Sequence, residues 1–240
     1  MSLMLKSIVS VALLLHASAA APTSARSDKK CRVCGVSSAE IVLTGSTLPT
    51  PSFAPTFIGL GVGTQNYTCE STGTYTNVGA LAELFDASCL YGTSSFTDLS
   101  SLAFRAWNAS ATSDVFESEA IISAARVITS PSESTLGQHY FVTNPVTGTG
   151  LSPKWDFTSN AFAGNPAAFV VGSKIDDVTA PSDTASNIDW LYLTNLTGAL
   201  ANEIYRIDTQ GGQPPASCIP GSAEIFVKYT AMYWLTGGSF

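Results

Sequence analysis

Few side chains in this sequence can do chemistry, and they are spread thinly. His139 is one of only two histidines, and the other, His16, lies in an apolar leader. A nucleophilic triad would have to be built on His139, yet no G-x-S-x-G elbow is present to supply its serine. The plainer alternative is a packed, hydrogen-bonded histidine, since Tyr140 and Phe141 follow it directly. Arg206 and Asp208 stand two apart in NEIYRIDTQ, a spacing that places both on one face of a strand together with Ile204. Turned inward, that face is a polar floor for a ligand; turned outward, it is a surface ion pair. Trp155-Asp156 and Asp189-Trp190 set an indole beside a carboxylate twice. Carbohydrate sites stack a sugar on such a ring and bind its hydroxyls with the acid, but a sheet with an aromatic inside and a polar outside has the same pattern.

Other candidates resolve toward structure. Glu117 and Glu119 fit the first turn of a helix capped by Asp114 better than they fit an acid–base pair. Asp176, Asp177 and Asp183 lack the D-x-D-x-D-G spacing of a calcium loop. Cys31-x-x-Cys34 has no βαβ setting for redox work, and no second C-x-x-C exists to complete a zinc site. Gly59, Gly61 and Gly63 begin a glycine pattern, but Thr64 stands where a dinucleotide fingerprint needs glycine. Neither a metal nor a cofactor is expected.

The setting is legible at the N-terminus. Lys6, the apolar run Ile8–Leu15 and Ala17-Ser18-Ala19 make a signal peptide over residues 1–19. Cleavage there removes one lysine and no acid, leaving 10 basic against 18 acidic residues. An acidic chain cannot neutralise phosphates, which excludes nucleic acid and anionic membrane as partners. Asn66, Asn108 and Asn195 each open an N-x-S/T glycosylation site. Five cysteines in an oxidising compartment leave one unpaired, and Cys34–Cys89 with Cys69–Cys218 is the pairing we expect. A secreted, extracellular protein follows.

The elements must then position these residues. Residues 20–55, with Pro49, Pro51 and Pro55, suit an extended arm, and residues 56–240 a single β domain. Asn77–Tyr91 has helical spacing through Leu81, Leu84 and Phe85, and Asp114–Arg126 is a second helix. Residues 92–114 are rich in Ser, Thr and Asn, which points to exposed loop. Strand-like runs recur at 138–143, 154–157, 167–175, 187–195, 202–210 and 224–235, the last alternating Tyr229, Ala231 and Tyr233 against Thr230, Met232 and Trp234. Alternating βαβ units are absent. The fold class is therefore all-β, a sandwich or barrel with one or two short inserted helices.

GVGTQNYTC, AELFDASCLY, QHYFV, IDWLYL, YRIDTQGGQPPASC and VKYTAMYWL together resemble a family of secreted fungal and bacterial proteins catalogued as domain of unknown function 3455. The resemblance covers about residues 40–236 and implies a secreted β domain, with His139, Trp155, Asp189, Trp190, Arg206 and Asp208 inside the matching segments. Some members carry the label malate dehydrogenase. This chain lacks the glycine fingerprint and βαβ pattern of a nicotinamide enzyme, so that activity is not carried over. The reading is a ligand-binding or cell-wall/host-interaction protein, holding a glycan or small molecule with Trp155 and Trp190. One alternative is an extracellular enzyme using His139 with Asp189 or Asp208 and Arg206; another is a purely structural protein.

Overall fold

The computed structural model describes residues 34–128 and 134–239; the expected signal segment and Cys31 lie outside them. Eight antiparallel strands close into a barrel in chain order: β1 (Pro55–Cys69), β2 (Tyr75–Asp86), β3 (Thr135–Thr143), β4 (Leu151–Asp156), β5 (Phe169–Val178), β6 (Trp190–Gly198), β7 (Glu203–Gly211) and β8 (Ile225–Thr236). Each pairs with the next, and β8 returns to β1 from Tyr67↔Ile225 to Pro55↔Thr236. Closure leaves no unpaired sheet edge. An eight-stranded barrel is just wide enough for its interior to fill with side chains or to hold one small ligand.

The alternation of β8 sorts the wall. Tyr229, Ala231, Tyr233 and Leu235 face the interior with Trp155, Leu193 and Ile204. Met232 and Trp234 face outward. The inward glycines of β1 make room for this packing. A Cβ on Gly61 would stand 2.5 Å from the Tyr233 ring, so the glycine-rich stretch is one continuous strand over which a large ring from the neighbouring β8 packs. One end of the interior is plugged: Phe57 meets Phe157 edge-on at 5.4 Å and Phe162 at 5.6 Å. The other end stays open.

The outer wall carries its own core, and this corrects two expectations. The segment Asn77–Tyr91 is not a helix. It supplies β2 and then a 3₁₀ turn at Ser88–Leu90, with Ala82 and Leu84 inside the barrel and Phe85 outside. Apolar residues on both faces imitate helical spacing when a strand is covered on both sides. Residues 92–114 are not exposed loop either. They hold α1 (Ser94–Thr97) and α2 (Leu99–Ala109), whose Leu99, Ala103 and Trp107 are fully buried against the wall. Trp107 Nε1 donates to the Gly63 carbonyl at 2.8 Å. Lys228 Nζ closes the end of α2, donating to the Trp107 and Ser110 carbonyls, both at 2.8 Å. The second expected helix is present as a 3₁₀ turn and α3 (Ser118–Ala124), with the Asp114 side chain accepting from the Phe116 amide.

Residues 34–54 run without helix or strand and press Val36, Ala39 and Leu48 into the outer core. Glu203 ties them down: its carboxylate accepts from the Ser52 amide at 3.0 Å and from Thr236 Oγ1 at 3.1 Å. The disulfides are Cys34–Cys89 and Cys69–Cys218, the expected pairs. They staple the arm to the end of β2, and β1 to the loop before β8.

Candidate functional site

The open end of the barrel is a cavity of about 480 Å³, lined by residues from β1 to β7. Arg206 reaches into it from β7. Its Nε and Nη2 donate to the Asp189 backbone carbonyl at 3.1 and 2.8 Å. Neither ion pair found among the described residues involves Arg206. The guanidinium therefore meets a carbonyl and the cavity, without a bonded carboxylate. Burial raises the pKa of Tyr67, Tyr229 and Tyr233, and the Arg206 charge opposes it only in part.

A polar ring surrounds it. Tyr67 Oη donates to the Gly212 carbonyl at 2.8 Å, and Asn77 Nδ2 donates to Gln65 Oε1 at 3.1 Å. Gln65 is buried, and its Nε2 has no hydrogen-bond partner. A buried, unsatisfied amide costs roughly 1–3 kcal/mol. Below them Tyr229 and Tyr233 share a hydrogen bond of 2.9 Å. Asp189 lines the cavity, its carboxyl pushed up by burial, with Arg206 pulling the other way. None of Gln65, Tyr67 or Asn77 was singled out by the sequence; the inward phase of β1, set by Gly61, is the signal that could have found the first two.

Arg206 and Asp208 do not share a face. The β7–β8 register shifts between Ile207 and Gln210, and Asp208 takes a left-handed φ of 48°. This bulge turns Asp208 outward while Arg206 stays in. Its surroundings hold it in place: Thr209 Oγ1 donates to the Ile188 carbonyl at 2.6 Å, and the Gly211 amide donates to Asn187 Oδ1 at 2.8 Å. Outside, Asp208 lies beside Trp190 and Trp234. Crowding by this apolar wall pushes its carboxyl up to about 6, an effect that water at its exposed edge limits.

His139 sits inside the wall rather than at the cavity. It is 2% exposed, stacks on Trp155 at 4.6 Å and 18°, and packs on Tyr233. Nδ1 meets the Lys154 carbonyl at 3.0 Å, so Nδ1 carries the proton. Burial lowers its pKa to about 3, which keeps the ring neutral. No hydrogen bond among the described residues joins it to Asp189 or Asp208, so the acid–base grouping expected around His139 is not assembled here.

The indole–carboxylate pairs are divided by the wall. Trp155 faces in and is 1% exposed, while Asp156 bonds Lys154 Nζ and Tyr140 Oη, both at 2.7 Å. Burial raises the Asp156 pKa, but those bonds and Thr158 outweigh it and hold the carboxyl at about 2. Trp190 packs in the outer core at 7% exposure, while Asp189 looks into the mouth. Neither indole presents an open face on the barrel mouth. Among the described residues no helix is long and apolar enough to cross a membrane, and no three His, Cys, Asp or Glu gather as a metal site.

Comparison with known families gives one match: the family described as Protein of unknown function (DUF3455) covers residues 49–237. The chain belongs to that family. No curated protein and no solved structure matches it. The DUF3455 match spans the whole barrel, the three α-helices on its wall and every residue of the mouth. Of the three N-x-S/T motifs in this DUF3455 chain, that at Asn108 is exposed at the end of α2. Asn195 instead donates from Nδ2 to the Gly198 and Ala201 carbonyls at 2.9 and 2.7 Å, so a glycan there would displace one bond. Asn66 is half-buried on β1 and accepts from Thr64 Oγ1.

Proposed function

We propose that the protein is a secreted binding protein whose barrel mouth takes a small molecule by an anionic group, a carboxylate in the simplest case. The observation that carries this reading is Arg206, a guanidinium inside the mouth with no carboxylate bonded to it. A planar fork of donors suits a carboxylate, and a partly enclosed site strengthens the pairing. Gln65 Nε2 offers a further donor, and Phe141, Leu151 and Leu191 give the cavity an apolar side for the rest of the ligand. Two disulfides support an oxidising compartment.

Binding is favoured over catalysis because the only histidine outside the leader is enclosed, neutral and spent on a carbonyl. A sugar-stacking site is disfavoured because Trp155 and Trp190 are packed away. The test is calorimetric titration with aliphatic and aromatic monocarboxylates, each beside its alcohol analogue. Carboxylates should bind better than alcohols, and Arg206→Gln should cost about 2 kcal/mol or more, roughly thirtyfold. No preference for the carboxylates, or equal binding by Arg206→Gln, would contradict the reading. For the secreted glycoprotein, peptide mapping should show Asn108 more fully glycosylated than Asn195; the reverse order would count against the surface assigned to them.

A further inference from the structure

A second cavity lies on the outside of the wall, where the arm, the turn before α1 and strands β6 to β8 meet. Its volume is about 580 Å³. Tyr91, Phe96, Trp190 and Trp234 line it, together with the acids Glu40 and Asp208, and no lysine or arginine does. Tyr91 and Trp234 stand 5.8 Å apart at 89°, Phe96 and Trp234 6.1 Å apart at 90°, and Tyr91 and Phe96 5.4 Å apart at 79°. Tyr91, at 38% exposure, and the half-buried Phe96 offer accessible ring surface there, and Trp190 and Trp234, at 7% and 2%, form the floor behind them. The Tyr91 hydroxyl, accepting from the Glu40 amide at 3.0 Å, fixes the arm to that corner.

Asp208 brings a carboxylate to these rings. No hydrogen bond or ion pair is found for its side chain among the described residues, and the bulge holds its backbone at φ 48°. Aspartate tolerates the left-handed backbone, and at this exposed position the bulge leaves the carboxylate free to meet a partner in the groove. Ring faces and an unpaired acid share one complement, a large and weakly hydrated positive charge. A small hard cation would want several oxygen ligands, and the described residues provide no cluster of three or more acids.

We propose that this outer groove is a binding site for an organic cation, a quaternary or alkylated ammonium group held on the rings with Asp208 as its counter-charge. The site is separate from the barrel mouth and does not depend on it.

The probes are choline and tetramethylammonium, with the neutral tert-butyl isostere of choline as control, titrated by calorimetry into the intact protein. Choline should bind roughly tenfold tighter than its isostere, and Asp208→Asn should weaken choline by roughly three- to tenfold. Asparagine tolerates the left-handed backbone, so this variant changes the charge and keeps the bulge. Tyr91→Ala, at a residue 38% exposed, should weaken choline without unfolding the protein. Arg206→Gln should leave choline binding unchanged, and the indole N–H resonance of Trp234 should move while that of Trp155 stays. Equal affinity for choline and its isostere, no binding by the wild type, an unaltered affinity in Asp208→Asn, or displacement by Arg206→Gln would each overturn the proposal.

Discussion

The inner and outer sides of strand β7 differ more than any two ends of the molecule. Inside, Arg206 faces a cavity ringed by amides and phenols. Outside, Asp208 faces a groove of indoles and phenyl rings. Regular strand geometry would put these residues side by side, and an ion pair between them would neutralise both. One left-handed residue prevents it and leaves the two opposite charges unpaired on the two sides of a single strand. A barrel wall packed on both sides can thus carry two chemistries, provided the pleat is broken at the right residue.

The comparison rests first on both sides being true cores. Trp155 inside and Trp107 outside are each exposed to 1% or less. Replacing either with alanine should cost about 3–5 kcal/mol in urea unfolding. A cheap Trp107→Ala would demote the helices to a loose cover and remove the physical basis for an outer site.

Protonation separates the two sides next. Inside, His139 stays neutral down to about 3, whereas the unfolded chain takes up a proton near 6.5. The folded state binds fewer protons across that window, so His139 costs stability as the pH falls from about 6.5 toward 3. On the outer wall Glu83 is pushed up to about 7 by burial first and then by Glu119, with Ser118 opposing. Its folded state holds a proton that the unfolded chain releases above about 4.5, so Glu83 adds stability as the pH falls from about 7 to 4.5. The two offset between about 6.5 and 4.5, and the loss due to His139 should show only below that. Glu83→Gln removes the offset, and acid sensitivity of about 1.4 kcal/mol per pH unit should begin near pH 6.5. An unchanged stability profile in Glu83→Gln would show that the carboxyl is not held protonated.

The bulge itself has the smallest expected effect on stability. Asp208→Val forces a β-branched residue into φ near 48° and should cost about 1–2 kcal/mol, while Asp208→Gly should cost little. Equal stability of the two variants would mean that the bulge relaxes easily and does not fix the division of charges.

Much of this architecture was legible in the sequence because alternation survives where one side of a strand is plainly apolar. β8 and the start of β7 show it, and the disulfide pairs fit it. β2 was misread because both its faces are covered, so Leu81, Leu84 and Phe85 satisfy a helical period as well as an alternating one. α2 escapes the sequence reading for the opposite reason: Ser- and Thr-rich segments flank it on both sides, and its buried apolar stripe is only Leu99, Ala103 and Trp107, four residues apart. In the candidate site, Arg206 stands out in the sequence as a charge within an apolar run, and Asp189 as the carboxylate beside Trp190. The separation of Arg206 from Asp208 was not, because a bulge leaves no mark in a period-two pattern and here depends on Asn187 and Thr209, bonded across β6 and β7. Gln65 and Tyr67 follow the inward phase of Gly61, but that phase marks a site only once barrel closure fixes which end is open.

The central claim is that the wall separates an inner site built on Arg206 from an outer one built on Asp208. Its most direct test is a crossed titration of Arg206→Gln and Asp208→Asn with one carboxylate and one quaternary ammonium probe. Arg206→Gln should lose the carboxylate and keep the ammonium; Asp208→Asn should keep the carboxylate and lose the ammonium. If either substitution weakens both probes alike, the two charges act as one site and the account is wrong.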